Sequence, residues 1–305
     1  MNRKARAYCS LALLAWNSRP STVVVVSAFQ PLSTTTTRSP AVLASRNTVA
    51  GRPTCEITRR AMSTNEDTDT TVDIAGNLAD VKARIRAACE AAGKDPSSVR
   101  LVAVSKTKPV PMLQQCLDAG HTIMGENYAQ ELVEKVGILP DTVHWHFIGG
   151  LQSNKATMLV GAFKNSTVDR LTVETVSSLK LASKLNNAVP DTDSTLLKIF
   201  VQVNTSGEDS KSGVEADECA ALCQDIVAKC PKLHLQGLMT IGAPDDESCF
   251  TALAECRDAV ASSLGRADLE LSMGMSGDFE AAIAAGATNV RVGSTIFGAR
   301  DYSTK

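Results

Sequence analysis

Lys106 directly follows the apolar run Leu101-Val102-Ala103-Val104-Ser105. A lysine at the end of a buried strand projects into a confined, partly apolar space, where burial disfavours the ammonium form. A neutral amine is what a Schiff base requires. The structural alternative is a lysine paired with Glu126 or Asp169. A second group of residues lies far along the chain. Ser272-Met273-Gly274-Met275-Ser276 follows one short apolar run, and Gly293-Ser294 follows the next. Glycines let backbone N–H groups approach phosphate oxygens, and serine hydroxyls add donors. The plainer reading is ordinary turn chemistry.

Lysine and phosphate cradle together point to a phosphorylated aldehyde, with pyridoxal 5′-phosphate (PLP) the leading candidate. Arg291 lies two residues before Gly293 and shares its inward face. It would meet the pyridine nitrogen and keep it unprotonated, which weakens the cofactor as an electron sink. Its structural alternative is an interior ion pair with Asp169 or Glu126.

These residues need a scaffold that brings distant strand ends together. From about residue 76 the sequence alternates apolar runs with amphipathic segments. The strands expected are 101–105, 122–125, 143–148, 167–169, 197–203, 235–241, 269–273 and 290–293. The helices are 77–92, 112–119, 129–136, 154–160, 173–187, 215–229, 247–264 and 279–285. Short, doubly apolar strands fit a parallel sheet buried on both faces. Eight such units have the count and length of a closed (β/α)8 barrel of the TIM type, with the extra helix 77–92 capping its bottom. An open doubly wound sheet would carry a glycine-rich turn after its first strand, and Ser105-Lys106-Thr107-Lys108 has none. In such a barrel the mouth is formed by Lys106, Glu126-Asn127, Gly149-Gly150, Asp169-Arg170, Asn204, Thr240, Ser272 to Gly274 and Gly293-Ser294.

Composition excludes other classes. The 305 residues are 44% hydrophobic and 4% aromatic, with a formal net charge of −2. Residues 1–60 carry nine basic side chains and one acid, so the rest is strongly acidic and offers nothing to a polyanion such as nucleic acid. Residues 1–74 are expected to be a targeting leader and linker, with the barrel domain in 75–305. The basic, Ser/Thr-rich leader has transit-peptide composition, for a plastid or mitochondrion; without it the protein would be cytoplasmic. Its Ala28-Phe29 also suits the cleavage site of a bipartite plastid leader. Apolar runs 11–16 and 23–26 are too short to span a membrane. The nine cysteines form no CxxC pair and read as buried small hydrophobes rather than zinc ligands.

Several long motifs match one family. They are Val104-Ser105-Lys106-Thr107-Lys108-Pro109, Gly125-Glu126-Asn127-Tyr128, Trp145 to Gly149 with Leu151 to Lys155, Val203-Asn204 with Lys211-Ser212-Gly213, Gly237-Leu238-Met239, Leu271 to Ser276, and Arg291 to Ser294 with Gly298-Ala299-Arg300. Over residues 75–302 the chain resembles the pyridoxal phosphate homeostasis family, also called the proline synthase co-transcribed family. Gly150 is a mild departure, expected to matter little. The resemblance implies a barrel like the alanine racemase N-terminal domain and PLP held as a Schiff base on Lys106. With the residues above it gives a cofactor site of Lys106, Asn127, Ser272, Gly274, Ser276, Arg291, Gly293 and Ser294. It also implies buffering or delivery of the cofactor to apo PLP-dependent enzymes, without established turnover.

A racemase needs an acid/base group on each face of the substrate α-carbon. Alanine racemase takes its tyrosine from a second domain that is expected to be missing here; without it, a monomer is favoured over a dimer. Tyr128 is the candidate substitute if the protein is a racemase. A class I aldolase-type lyase is a further alternative. For delivery, Lys211, ahead of Lys108 and Lys155, is the lysine expected to accept the aldehyde transiently.

Overall fold

The computed structural model describes residues 72–163, 168–191, 195–208, 212–243 and 246–299. The leader and Lys211 lie outside the described residues. The elements are, in order, α1 (Ile74–Ala91), β1 (Arg100–Val104), α2 (Val110–Asp118), β2 (Ile123–Glu126), α3 (Ala129–Val136), β3 (His144–Phe147), α4 (Ala156–Gly161), β4 (Leu171–Val176), α5 (Leu179–Ala188) and β5 (Leu197–Asn204). Then follow β6 (Val214–Glu215), α6 (Cys219–Lys229), β7 (Leu233–Met239), α7 (Ser248–Leu264), β8 (Glu270–Ser272), α8 (Phe279–Ala284), β9 (Asn289–Val292) and α9 (Ser294–Phe297).

Eight strands form a closed parallel barrel: β1 pairs with β2, and so on through β3, β4, β5, β7, β8 and β9, which returns to β1. The seam between first and last strands matches Arg100 with Asn289 and Ala103 with Val292. The short β6 extends the mouth end of β5, pairing Val203 with Val214. This is the (β/α)8 architecture expected from the alternation.

The apolar core lies between strands and helices. Leu101, Ala103, Val290 and Val292 belong to this core, as do Ile74, Leu78, Val81 and Ile85 of α1, which recur at helical spacing. Asp73 starts that helix by accepting from the Gly76 N–H at 2.8 Å. The position of α1 differs from expectation. It packs against α2, α8 and α9, within the outer ring rather than under the barrel. The reason is the shortness of α9: four residues cannot cover the seam, and α1 supplies the missing apolar stripe.

The fourth strand also differs. Residues 168–170 form a 3-10 turn, and β4 is Leu171–Val176, so its last four residues belong to the sheet and not to the helix expected over 173–187. Asp169 and Arg170 therefore precede β4 and sit at the closed end, where Arg170 bonds Asp141 at 2.7 Å. They take no part in the mouth.

The seven described cysteines are buried, as expected, and are free thiols. Among the described residues no helix is long and apolar enough to cross a membrane, and no His/Cys/Asp/Glu group is arranged to hold a metal.

Candidate functional site

A cavity of about 260 Å³ opens at the mouth, against the β1/β9 seam. Its lining comes from the turn after β1 (Val104, Lys106, Lys108), the end of β3 (Ile148), the loop after β8 (Met275, Ser276, Gly277) and β9 with its following turn (Arg291, Gly293, Ser294, Gly298). Five residues singled out from sequence thus meet in one place: Lys106, Ser276, Arg291, Gly293 and Ser294. Drug-sized ligands occupy pockets of about 300–1,000 Å³, so this one suits a single small ring.

The two loops are tied together, since Gly293 N–H donates to Ser276 Oγ at 3.2 Å. Lys108 Nζ donates to Ala299 O at 2.7 Å, drawing the turn after β1 toward the chain beyond α9.

Arg291 enters from below. It is almost wholly buried, and its Nη1 and Nη2 donate to Ser272 Oγ (2.7 Å) and Thr240 O (2.8 Å). Ser272 Oγ donates in turn to Glu174 Oε2, whose Oε1 meets His146 Nδ1 at 2.5 Å. Since β4 and β8 are not neighbours, the Ser272–Glu174 bond spans the barrel interior. Burial alone would raise the Glu174 carboxyl, but His146, Arg291 and Ser272 together hold it below the usual carboxylate range. Burial lowers the Arg291 guanidinium and Glu174 opposes that shift; arginine remains a cation in such a setting. The ion-pair partners expected for Arg291 were therefore the wrong ones. Asp169 is at the opposite end, and Glu126 lies outside the barrel bonded to Lys135 at 2.7 Å.

Three other residues from the sequence reading stand outside the cavity lining. Ser272 lies beneath Arg291, to which it is hydrogen-bonded. Gly274, at φ +89°, is needed for close packing: a Cβ there would come within 2.6 Å of Ala282 Cβ. Asn127 supports the neighbouring loop, where a Cβ on Gly149 would lie 1.9 Å from Asn127 O. Asn127 Oδ1 is buried without a hydrogen-bond partner. Asn204 is occupied by Glu208 O and Glu215. Tyr128 is exposed and absent from the lining.

Glu174 was missed because the period-two alternation of Thr172 and Glu174 with Leu171 and Val173 is short; that alternation was the signal available. Lys108, Ile148, Met275 and Gly298 stood in the quoted motifs, Lys108 also as a candidate acceptor of the aldehyde, without being assigned to the cofactor site.

The donor set fits PLP on the structure's own terms. An amine, a guanidinium and two hydroxyls converge on a ring-sized cavity whose loops are already bonded to each other.

The family model "Alanine racemase, N-terminal domain" matches residues 76–301. The pyridoxal phosphate homeostasis protein of Escherichia coli K12 is 43% identical over 245 residues, covering 76% of this chain and 99% of that protein. The chain belongs to the pyridoxal phosphate homeostasis protein family. Among solved structures, PipY of Synechococcus elongatus with PLP bound is 29% identical, with a TM-score of 0.61 over 74% of this chain and 100% of PipY. Alanine racemase of Corynebacterium glutamicum shares the fold at a TM-score of 0.54 and 15% identity, over 75% of this chain and 64% of the racemase.

Proposed function

We propose that this protein binds PLP in the mouth cavity through Lys106 and serves PLP homeostasis, buffering the cofactor or delivering it to other proteins. The observation that carries the reading is the convergence of Lys106, Arg291, Ser276, Gly293 and Ser294 on one cavity. The names of the relatives and the PLP bound to PipY support it.

When bound, PLP would supply an aldehyde, an electrophile able to combine with a lysine amine and release one water, together with a phosphate. Lys106 provides the amine. Ser276 and Ser294 offer hydroxyls to the phosphate, and the glycines beside them leave room for its oxygens. Arg291, locked by Ser272 and Thr240, presents a fixed positive charge at the cavity floor.

Holding rather than turnover is supported by the scarcity of acid/base groups. A racemase needs two on opposite faces. Tyr128, the candidate from sequence, is 52% exposed and does not line the cavity. The acid-poor leader supports an organellar location.

The test is to load the chain with PLP, reduce with borohydride and map the modified peptide. An adduct on Lys106, lost in Lys106→Ala, is expected. Scattered adducts on other lysines would overturn the reading. A chain that stays colourless with PLP would return the cavity to an aldolase-type use of Lys106.

A further inference from the structure

The turn that carries Lys106 is gripped from outside the barrel. Lys135 of α3 is 5% exposed. Its Nζ donates to Ser105 O at 2.9 Å, to Glu126 Oε1 at 2.7 Å and to Glu131 Oε1 at 2.7 Å. Ser105 Oγ donates to the same Glu126 oxygen at 2.6 Å. Glu131 Oε1 also accepts the Thr107 N–H at 2.7 Å. The residues on both sides of Lys106 are therefore bonded to one cluster of a cation and two carboxylates.

The backbone between them is unusual. Thr107 has φ +62°, a left-handed conformation that a β-branched residue rarely adopts. Such a residue persists only where its surroundings hold it. The Glu131 bond to the Thr107 N–H and the Lys108 N–H to Ser105 O bond at 3.0 Å supply that hold.

If the cluster served only to fasten α3 to the sheet, apolar side chains would do so without desolvating three charges. Leu132 of the same helix already does this, fully buried. The cluster instead contacts the main chain at Ser105 and Thr107, where apolar groups could make no bond.

We propose that Lys135, together with Glu131, is a positioning residue for Lys106. It fixes the backbone immediately before and after Lys106, so that the amine is presented to the cavity. The proposal rests on the reading of Lys106 as the PLP lysine.

The experiment compares the full chain with Glu131→Ala, Lys135→Met, Lys135→Arg and Lys106→Ala. Three readouts are taken with added PLP: apparent affinity, induced circular dichroism in the cofactor's visible band, and the borohydride adduct map. A thermal melt reports folding. Glu131→Ala and Lys135→Met are expected to lose tenfold or more in affinity and most of the induced signal, with adducts moving off Lys106. Lys135→Arg is expected to recover most of both, because it keeps a cation with several donors. Should Lys135→Met fail to melt cooperatively, Glu131→Ala carries the test, since that side chain is 22% exposed. A folded Glu131→Ala with unaltered affinity, dichroism and Lys106 adduct would overturn the proposal while leaving the PLP reading intact. Absence of a Lys106 adduct in the unaltered chain would overturn both.

Discussion

Ser272 Oγ donates a 2.5 Å hydrogen bond to Glu174 Oε2, joining residues 98 positions apart across the barrel interior. The same oxygen accepts from Arg291 Nη1 at 2.7 Å, so a serine mediates between a buried guanidinium and its counter-charge. Three strands thereby fix the orientation of one cavity residue.

Glu174→Ala removes that counter-charge and leaves Arg291 buried without it. A loss of about 3–5 kcal/mol in unfolding free energy is expected, read by urea denaturation. The sign with pH follows from the lowered Glu174 carboxyl. Its stabilisation is fully present above the usual carboxylate range and disappears as pH falls through the lowered folded value. A Glu174→Ala chain as stable as the unaltered one would refute the argument.

His121 gives a second pH dependence. Burial, with Lys82 adding to it, lowers its pKa from 6.5 to about 4, and Nε2 lies 3.0 Å from Ile123 O. The unfolded chain binds a proton in this interval that the folded one refuses. Stability from this group is therefore complete above pH 6.5 and lost on descent toward 4, by about 3 kcal/mol. Denaturation curves taken across that interval should slope accordingly, and His121→Gln should flatten the slope. An unchanged slope would show that His121 titrates normally.

Ser276 and Ser294 should distinguish phosphorylated from unphosphorylated ligand. Each change to Ala is expected to weaken PLP by roughly tenfold, the equivalent of about 1.4 kcal/mol. Binding of pyridoxal, which lacks the phosphate, should move little. Equal losses for both ligands by titration calorimetry would remove the phosphate from this cradle.

Neighbouring glycines should respond very differently. A Cβ on Gly149 would overlap Asn127 O at 1.9 Å, whereas one on Gly150 meets nothing within 4 Å. Gly149→Ala should cost about 1–3 kcal/mol or more, and Gly150→Ala should stay within about 0.5 kcal/mol. Thermal melts of the two variants would decide it, and equal shifts would contradict the close approach.

The alternation of strand and helix was legible because most strands are uniformly apolar, buried on both faces. Lys106, Gly293 and Ser294 were legible because they stand at the ends of such strands, and Ser276 because it closes the short Gly-containing loop after β8. β4 was not, since Thr172 and Glu174 interrupt its apolar run with residues that the barrel interior satisfies. Val173 to Val176 then merged with the pattern of α5, and Asp169-Arg170 moved to the wrong end. Arg291 was recognised, yet its partner was hidden in that misread strand. Lys135 left no trace either: a lysine on an amphipathic helix resembles any solvated one until the fold brings Ser105, Glu126 and Glu131 around it.

The seam between β1 and β9 has a consequence for biosynthesis. Lys106 emerges early from the ribosome, while Arg291, Gly293 and Ser294 emerge nearly two hundred residues later. A nascent chain thus carries Lys106 long before it carries the residues that complete the cavity wall. Any small molecule seated in the finished cavity bridges the two ends of the barrel, and so resists its unzipping at the junction formed last.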